Sequence, residues 1–246
     1  MSAEREARDI EARRLDAFVD AAFAFAVTML LIAGVEPITT LPQLYRALGQ
    51  IPASAASFVL VVLFWLAHRA YGRMTPLRDT TSTLTSLALV FTVLAYVYPL
   101  RMLVDAGFHW GSGRLLPGSV VIDRLSDLRD LYVIYGIGFA ILALQVAALF
   151  GHAARSADRL GVSELLRAQA ASRSTVWIIV ASAGVLSALA ALLAEGQRVL
   201  EGPLLQNAPW LPGVAYWLIL VGIQVRVVLA RRKTRRLTAG APPNRP

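Results

Sequence analysis

Six long apolar runs constrain this chain more than any other feature of its sequence. They occupy residues 17–35, 52–67, 80–100, 131–150, 175–194 and 210–230. A helix needs about 20 residues to cross the hydrocarbon core of a bilayer, and each run approaches that length. The composition agrees, since 16% of the residues are charged against about 25% in soluble domains. We therefore predict an all-α integral membrane protein with six transmembrane helices.

The distribution of arginine and lysine predicts the orientation of these helices. Most of the 24 basic residues lie in the N-terminal segment, the second and fourth connections and the C-terminal tail. By the positive-inside rule these segments are cytoplasmic, so both termini are predicted to be inside. We divide the chain into a cytoplasmic segment at 1–16, retained as a helix, a six-span domain at 17–230, and a basic, disordered tail at 231–246. A multi-pass protein of the plasma (inner) membrane is expected.

The segments between the apolar runs carry three further expectations. Residues 101–130 are predicted to form an outer loop with a short amphipathic helix. The prolines before the tail, Pro99 among them, fall at or between run ends, so no span is expected to contain one. The basic cluster from Arg231 to Arg236 is expected to attract anionic lipid at about 1 kcal/mol per charge.

Other classes of protein find little support in the residues. The net charge of +8 does not indicate nucleic-acid binding, because the arginines lie between apolar runs rather than in one patch with aromatics. The chain has no cysteine. Its three histidines, His68, His109 and His152, are far apart and form no HExxH motif. We predict neither an enzyme nor a cofactor-binding protein.

The first apolar run has two distinct sides when it is projected as a helix. Asp20 lies opposite one narrow stripe, and beside that stripe runs a ridge of small residues that allows close helix packing. The stripe consists of Phe18, Ala22, Phe25, Met29, Ile32 and Glu36, and the ridge of Ala17, Ala21, Ala24 and Thr28. On periodicity alone the stripe faces either lipid or the bundle core. For Asp20 the residues favour an ion pair with Arg13 or Arg14 at the membrane interface.

The second apolar run ends in FWLAHRAYGR, which places Trp65 and His68 three residues apart on one helix face. An aromatic belt at the membrane interface is the ordinary explanation of such residues. Both side chains are also candidates to hold Asp20.

These residues together resemble the transmembrane protein 175 family of potassium channels. The resemblance rests on Arg14, Phe18 and Asp20 in the first run and on Trp65 and His68 in the second. It implies a homotetramer whose pore is lined by the first helix of each subunit, with an apolar constriction and no TVGYG filter. This chain has no TVGYG sequence. Residues 135–138, YGIG, lie inside the fourth run rather than in a loop.

The resemblance implies roles for individual residues. Arg14, Phe18, Asp20, Trp65 and His68 would form an inner network that holds the first two helices together. Val19 stands where the family has a serine, which removes one hydroxyl from that network.

The constriction of the family falls on Phe25, on the same stripe as Met29 and Ile32. Thr28 would contact the permeating ion or bond a carbonyl one turn back. Glu36 would form an acidic ring at the outer mouth of the pore.

The resulting hypothesis is a potassium-permeable cation channel whose selectivity depends on constriction size and partial dehydration. A non-conducting membrane scaffold and a secondary transporter of the same fold remain as alternatives. A transporter would need polar groups at mid-membrane, where the sequence offers little besides Gln145.

Overall fold

The computed structural model describes residues 2–32, 37–75, 79–118, 120, 124–157, 164–196, 213 and 216. In these residues the regular secondary structure is entirely helical, as predicted. The helices are α1 (Ser2–Ile32), α2 (Leu41–Gly49), α3 (Ile51–Met74), α4 (Thr80–Gly111), α5 (Leu125–Ser156) and α6 (Glu164–Gly196). We call the end of the bundle at which α1 begins the inner end and the opposite one the outer end, following the predicted orientation.

Five of these helices are long and apolar enough to cross a membrane, so the chain is a multi-pass membrane protein. The exception is α2, which has nine residues. The sixth predicted run, 210–230, lies outside the described residues except for Gly213 and Tyr216. The Tyr216 ring packs edge-on against Tyr135 and Phe139 of α5, with centroids 5.3 Å and 5.2 Å apart. The count of six spans remains a prediction.

The helix ends differ from the sequence prediction at three places. α1 continues without interruption from the N-terminal segment into the first apolar run. α4 contains Pro99 and continues to Gly111, where a loop had been expected from residue 101. Proline is tolerated inside membrane helices because neighbouring groups satisfy the carbonyl that it frees.

The third difference is α2, which the apolar runs did not reveal. Its start is fixed by a capping box: the Thr40 side chain accepts a hydrogen bond from the Gln43 backbone N–H, and the Gln43 side chain bonds back to the Thr40 N–H. Only Gln50 separates α2 from α3.

α5 and α6 approach each other closely through a pair of glycines. A Cβ atom on Gly136 would lie 2.5 Å from the Gly184 carbonyl oxygen, and one on Gly184 would lie 2.6 Å from that of Gly136. Gly138 lies beneath the Tyr96 ring, and the Tyr96 hydroxyl donates a hydrogen bond to the Tyr135 carbonyl at 2.9 Å. Residues 135–138 therefore serve helix packing inside α5.

The glycine contact predicts that Gly184→Ala destabilises the protein. The added methyl group would force α5 and α6 apart, at a cost of about 1–3 kcal/mol, as for overpacking in other cores. Thermal unfolding of the purified protein in detergent measures the effect. The matched control is Gly107→Ala in α4, where a Cβ meets nothing within 4 Å and improved helix propensity should raise the melting temperature slightly. Equal melting temperatures for the two variants would contradict this packing.

Candidate pore-lining face of the first helix

α1 packs into its own subunit along one narrow stripe. Val19, Phe23, Ala26 and Leu30 are at most 3% exposed and belong to the apolar core shared with α3, α4 and α5. Their spacing of three and four residues is that of one helix face. In the most apolar stretch of α1, 22% of the residues are buried within the subunit. In the other four long helices the corresponding share is 33% to 56%. Of these helices, α1 is thus the one least covered by its own chain.

The predicted constriction residues lie on or beside the opposite face. Phe25 and Ile32 are 57% and 58% exposed. Met29 differs, because it is half-buried and packs against the core at the edge of this face. Glu36 lies outside the described residues.

The ridge of small residues is also uncovered within the subunit. Ala17, Ala21, Ala24 and Thr28 are all exposed. The Thr28 hydroxyl donates a hydrogen bond to the Ala24 carbonyl at 3.1 Å, one turn back. Its hydrogen is thereby used, whereas its oxygen remains an acceptor. We call the surface formed by this ridge, Phe25 and Ile32 the open face of α1.

At the inner end, two hydrogen bonds involve residues of the predicted network. The Trp65 Nε1–H donates to Asp20 Oδ1 at 2.7 Å, which joins α3 to α1. The guanidinium of Arg69 lies 5.2 Å above the Trp65 ring, in a cation–π arrangement. His68 is buried, and its Nε2 lies 3.0 Å from the Ser86 hydroxyl of α4.

Three other residues of the motif have different environments. Arg14 is exposed, and Phe18 lies on the side of the open face at 55% exposure. Val19 is fully buried in the apolar core. A valine suits this position because a buried hydroxyl would need a hydrogen-bond partner there.

The outer end of α1 is held by a residue that the sequence analysis had assigned to a loop. Arg101 of α4 is 5% exposed, and its Nη1 donates to the Ser54 hydroxyl at 2.6 Å and to the Leu30 carbonyl at 3.4 Å. Its Nη2 donates to Gln50 Oε1 at 3.4 Å. A cation at the last turn of a helix interacts favourably with the helix dipole. Arg101 therefore connects α1 and α3 through α4.

A further polar contact involves Asp79, which immediately precedes α4. Asp79 caps α4 by accepting from the Ser82 N–H at 2.9 Å, and its other oxygen lies 2.7 Å from His152 Nε2 of α5. Partial burial alone would raise the pKa of the Asp79 carboxyl, but the bonds from Ser82 and His152 outweigh it and lower the pKa below the usual 3.8. Among the described residues, no group of three His, Asp or Glu side chains is arranged to hold a metal ion.

The bond between Asp20 and Trp65 predicts a specific pattern of mutant effects. Asp20→Ala and Trp65→Phe should each destabilise the assembled protein, since each removes one partner of the same bond. The double variant should be only slightly worse than either single variant, which corresponds to a coupling of about 1 kcal/mol. Unfolding in detergent and the fraction of oligomer in native mass spectra are the two measurements. Fully additive effects would mean that the bond contributes nothing.

The first part of the chain is similar to a known family of channels. Residues 14–99, which contain the open face, α2, α3 and the first part of α4, match the family described as "Endosomal/lysosomal potassium channel TMEM175". A potassium channel of Marivirga tractuosa is 29% identical over 134 residues, or 52% of this chain and 54% of the relative. The match thus spans about half the length of that relative.

A solved structure of another protein is similar to a larger part of this chain. The crystal structure of a variant of the potassium channel MtTMEM175, in complex with a nanobody fusion, superimposes with a TM-score of 0.70. The superposition covers 90% of this chain and 93% of the other, at 22% sequence identity, which shows a common fold. Residues 14–99, which carry the motif residues of α1 and α3, are thus similar to the TMEM175 family, and the chain shares the fold of MtTMEM175.

Proposed function

We propose that this chain is one subunit of a homotetrameric, potassium-permeable cation channel of the plasma (inner) membrane. The observation that carries the proposal is the open face of α1, which lies within the residues that match the family. Potassium channel is also the name of the relative from Marivirga tractuosa. In the assembly, ions pass along the open faces of four neighbouring copies of α1.

The open face supplies the properties that such a pore needs. Phe25 and Ile32 offer bulky apolar side chains at its narrowest levels, so an ion must lose part of its hydration to pass. Met29, at the edge of the face, contacts the pore only if neighbouring subunits leave it accessible. The Thr28 oxygen can accept from water or contact the cation, because its hydrogen is already bonded to Ala24. Glu36 would add an acidic ring at the outer mouth.

The small ridge supports assembly around this face. Association of helices within a bilayer depends on close packing rather than on the hydrophobic effect, and alanine allows backbones to approach. Ala17, Ala21 and Ala24 lie next to Phe25 on the helix surface and are exposed within the subunit. Four copies can therefore contact one another beside the ion path.

The first test is electrical recording of the purified protein in planar bilayers. Phe25→Ala should raise the cation conductance, since it widens an apolar constriction, and should reduce the preference for K⁺ over Na⁺. The matched control is Phe91→Ala on α4, which removes an equally large ring that is 74% exposed but lies outside the proposed pore. We expect its current to match the wild type.

Three results would contradict the proposal in different ways. A current that Phe25→Ala leaves unchanged would remove Phe25 from the ion path. The absence of any current from a well-assembled oligomer would favour the non-conducting scaffold. Saturable flux in proteoliposomes that depends on a proton gradient would favour the transporter.

The second test uses the absence of cysteine from the chain, which makes single-cysteine cross-linking free of background. Thr28→Cys, on the open face, should form covalent dimers on mild oxidation in membranes, because copies of this position lie near a common axis. Phe91→Cys should remain mostly monomeric on denaturing gels. Equal cross-linking at both positions, or none at Thr28, would contradict an assembly around the open face.

A further inference from the structure

A cavity of about 350 Å³ lies at the outer end, between the last turn of α1, α2, α3 and α4. Its polar wall consists of Gln50, Ser54 and Arg101, and its apolar wall includes Leu31, Ile51 and Phe58. The volume is within the range of pockets that bind small ligands, about 300–1,000 Å³. The three apolar residues are between 41% and 55% exposed, so the cavity opens onto the outer surface of the subunit.

The polar wall carries the guanidinium of Arg101, and its hydrogen-bond acceptors among the described residues are neutral groups. Arg101 bonds to a serine hydroxyl, a glutamine side-chain oxygen and a backbone carbonyl. Its Nε is buried and has no hydrogen-bond acceptor among the described residues. Asp105, one turn further along α4, is buried as well but does not line the cavity. A buried guanidinium is costly unless its charge is compensated, so an anion in the cavity would be stabilised.

The apolar wall indicates which anion is favoured. Leu31 belongs to α1, and Ile51 and Phe58 belong to α3, two helices that are able to span the membrane. A ligand with an anionic head and a hydrocarbon chain would satisfy both walls at once. Arginine is well suited to phosphate, because its planar fork donates two hydrogen bonds to one phosphate group.

We propose that this cavity binds the phosphate-bearing headgroup of an anionic phospholipid, with Arg101 as the phosphate-binding residue. The acyl chain follows Leu31 and Phe58 into the bilayer. Because Arg101 also bonds the last turn of α1, the bound lipid lies directly beside the outer end of the helix that carries the open face. The site is distinct from the basic cluster at Arg231–Arg236, for which the sequence predicts an interaction with anionic lipid, and it does not depend on whether the protein conducts ions.

The test measures lipid retention by native mass spectrometry of the purified full-length protein. The probes are phosphatidylglycerol, phosphatidylcholine and, separately, glycerol phosphate in solution. Wild-type protein should retain phosphatidylglycerol about tenfold more strongly than Arg101→Gln does, a difference of about 1.4 kcal/mol. Phosphatidylcholine should show no such difference between the two proteins. Arg46→Gln is the control, because it removes an exposed arginine from α2 that does not line the cavity.

A second variant keeps the test decisive if Arg101→Gln does not fold. Ala55→Trp fills the cavity from its exposed wall and leaves the bonds of Arg101 in place, so it should also lose the lipid. Retention of phosphatidylglycerol by this variant at the wild-type level would overturn the proposal. Equal binding of glycerol phosphate and phosphatidylglycerol would overturn the assignment to a lipid, because a soluble phosphate would then suffice.

Discussion

Within a bilayer, two helices gain nothing from the hydrophobic effect when they meet, because lipid tails are as apolar as their side chains. Their contact depends on shape and on a few polar bonds. Three contacts hold α1 to its own subunit. They are one stripe of four core residues, the Asp20–Trp65 hydrogen bond near the inner end and the Arg101–Leu30 hydrogen bond at the outer end. The open face on the opposite side of the helix is exposed within the subunit. The proposed pore, its constriction and its assembly all depend on that division.

The other long helices of the bundle are buried to a greater extent than α1. α5 and α6 contact each other so closely at Gly136 and Gly184 that neither position has room for a methyl group. α1 packs mainly against α3 and α4. The pair α5 and α6 is thus tightly packed, whereas α1 is covered by its own subunit on one side only. Val19 fits this arrangement, since it adds an apolar side chain to the buried stripe.

Periodicity and composition sufficed to predict much of this architecture. The apolar runs predicted the five membrane-length helices that the structure describes, and the motif on α1 and α3 predicted the resemblance that the family match at residues 14–99 supports. The structure joins Trp65 to Asp20 by a hydrogen bond, whereas the residues alone had favoured an ion pair of Asp20 with Arg13 or Arg14. Arg101 could not be found in this way, because counting apolar residues treats an arginine as the end of a span. Its burial depends on Gln50 and Ser54, which are about 50 residues away. The half-burial of Met29 could not be predicted either. A helical projection gives the side of α1 on which Met29 lies, but its burial depends on core residues that pack beside the open face.

The proposed function requires that the open face of α1 meets other copies of itself around an ion path. The most direct measurement is an electron cryo-microscopy structure of the purified full-length protein in lipid nanodiscs. We predict a fourfold axis bordered by α1, with Phe25 of every subunit directed towards it and Phe91 in contact with lipid. An oligomer in which Phe25 contacts lipid, or a monomer whose α1 is covered by lipid on its open face, would contradict the account.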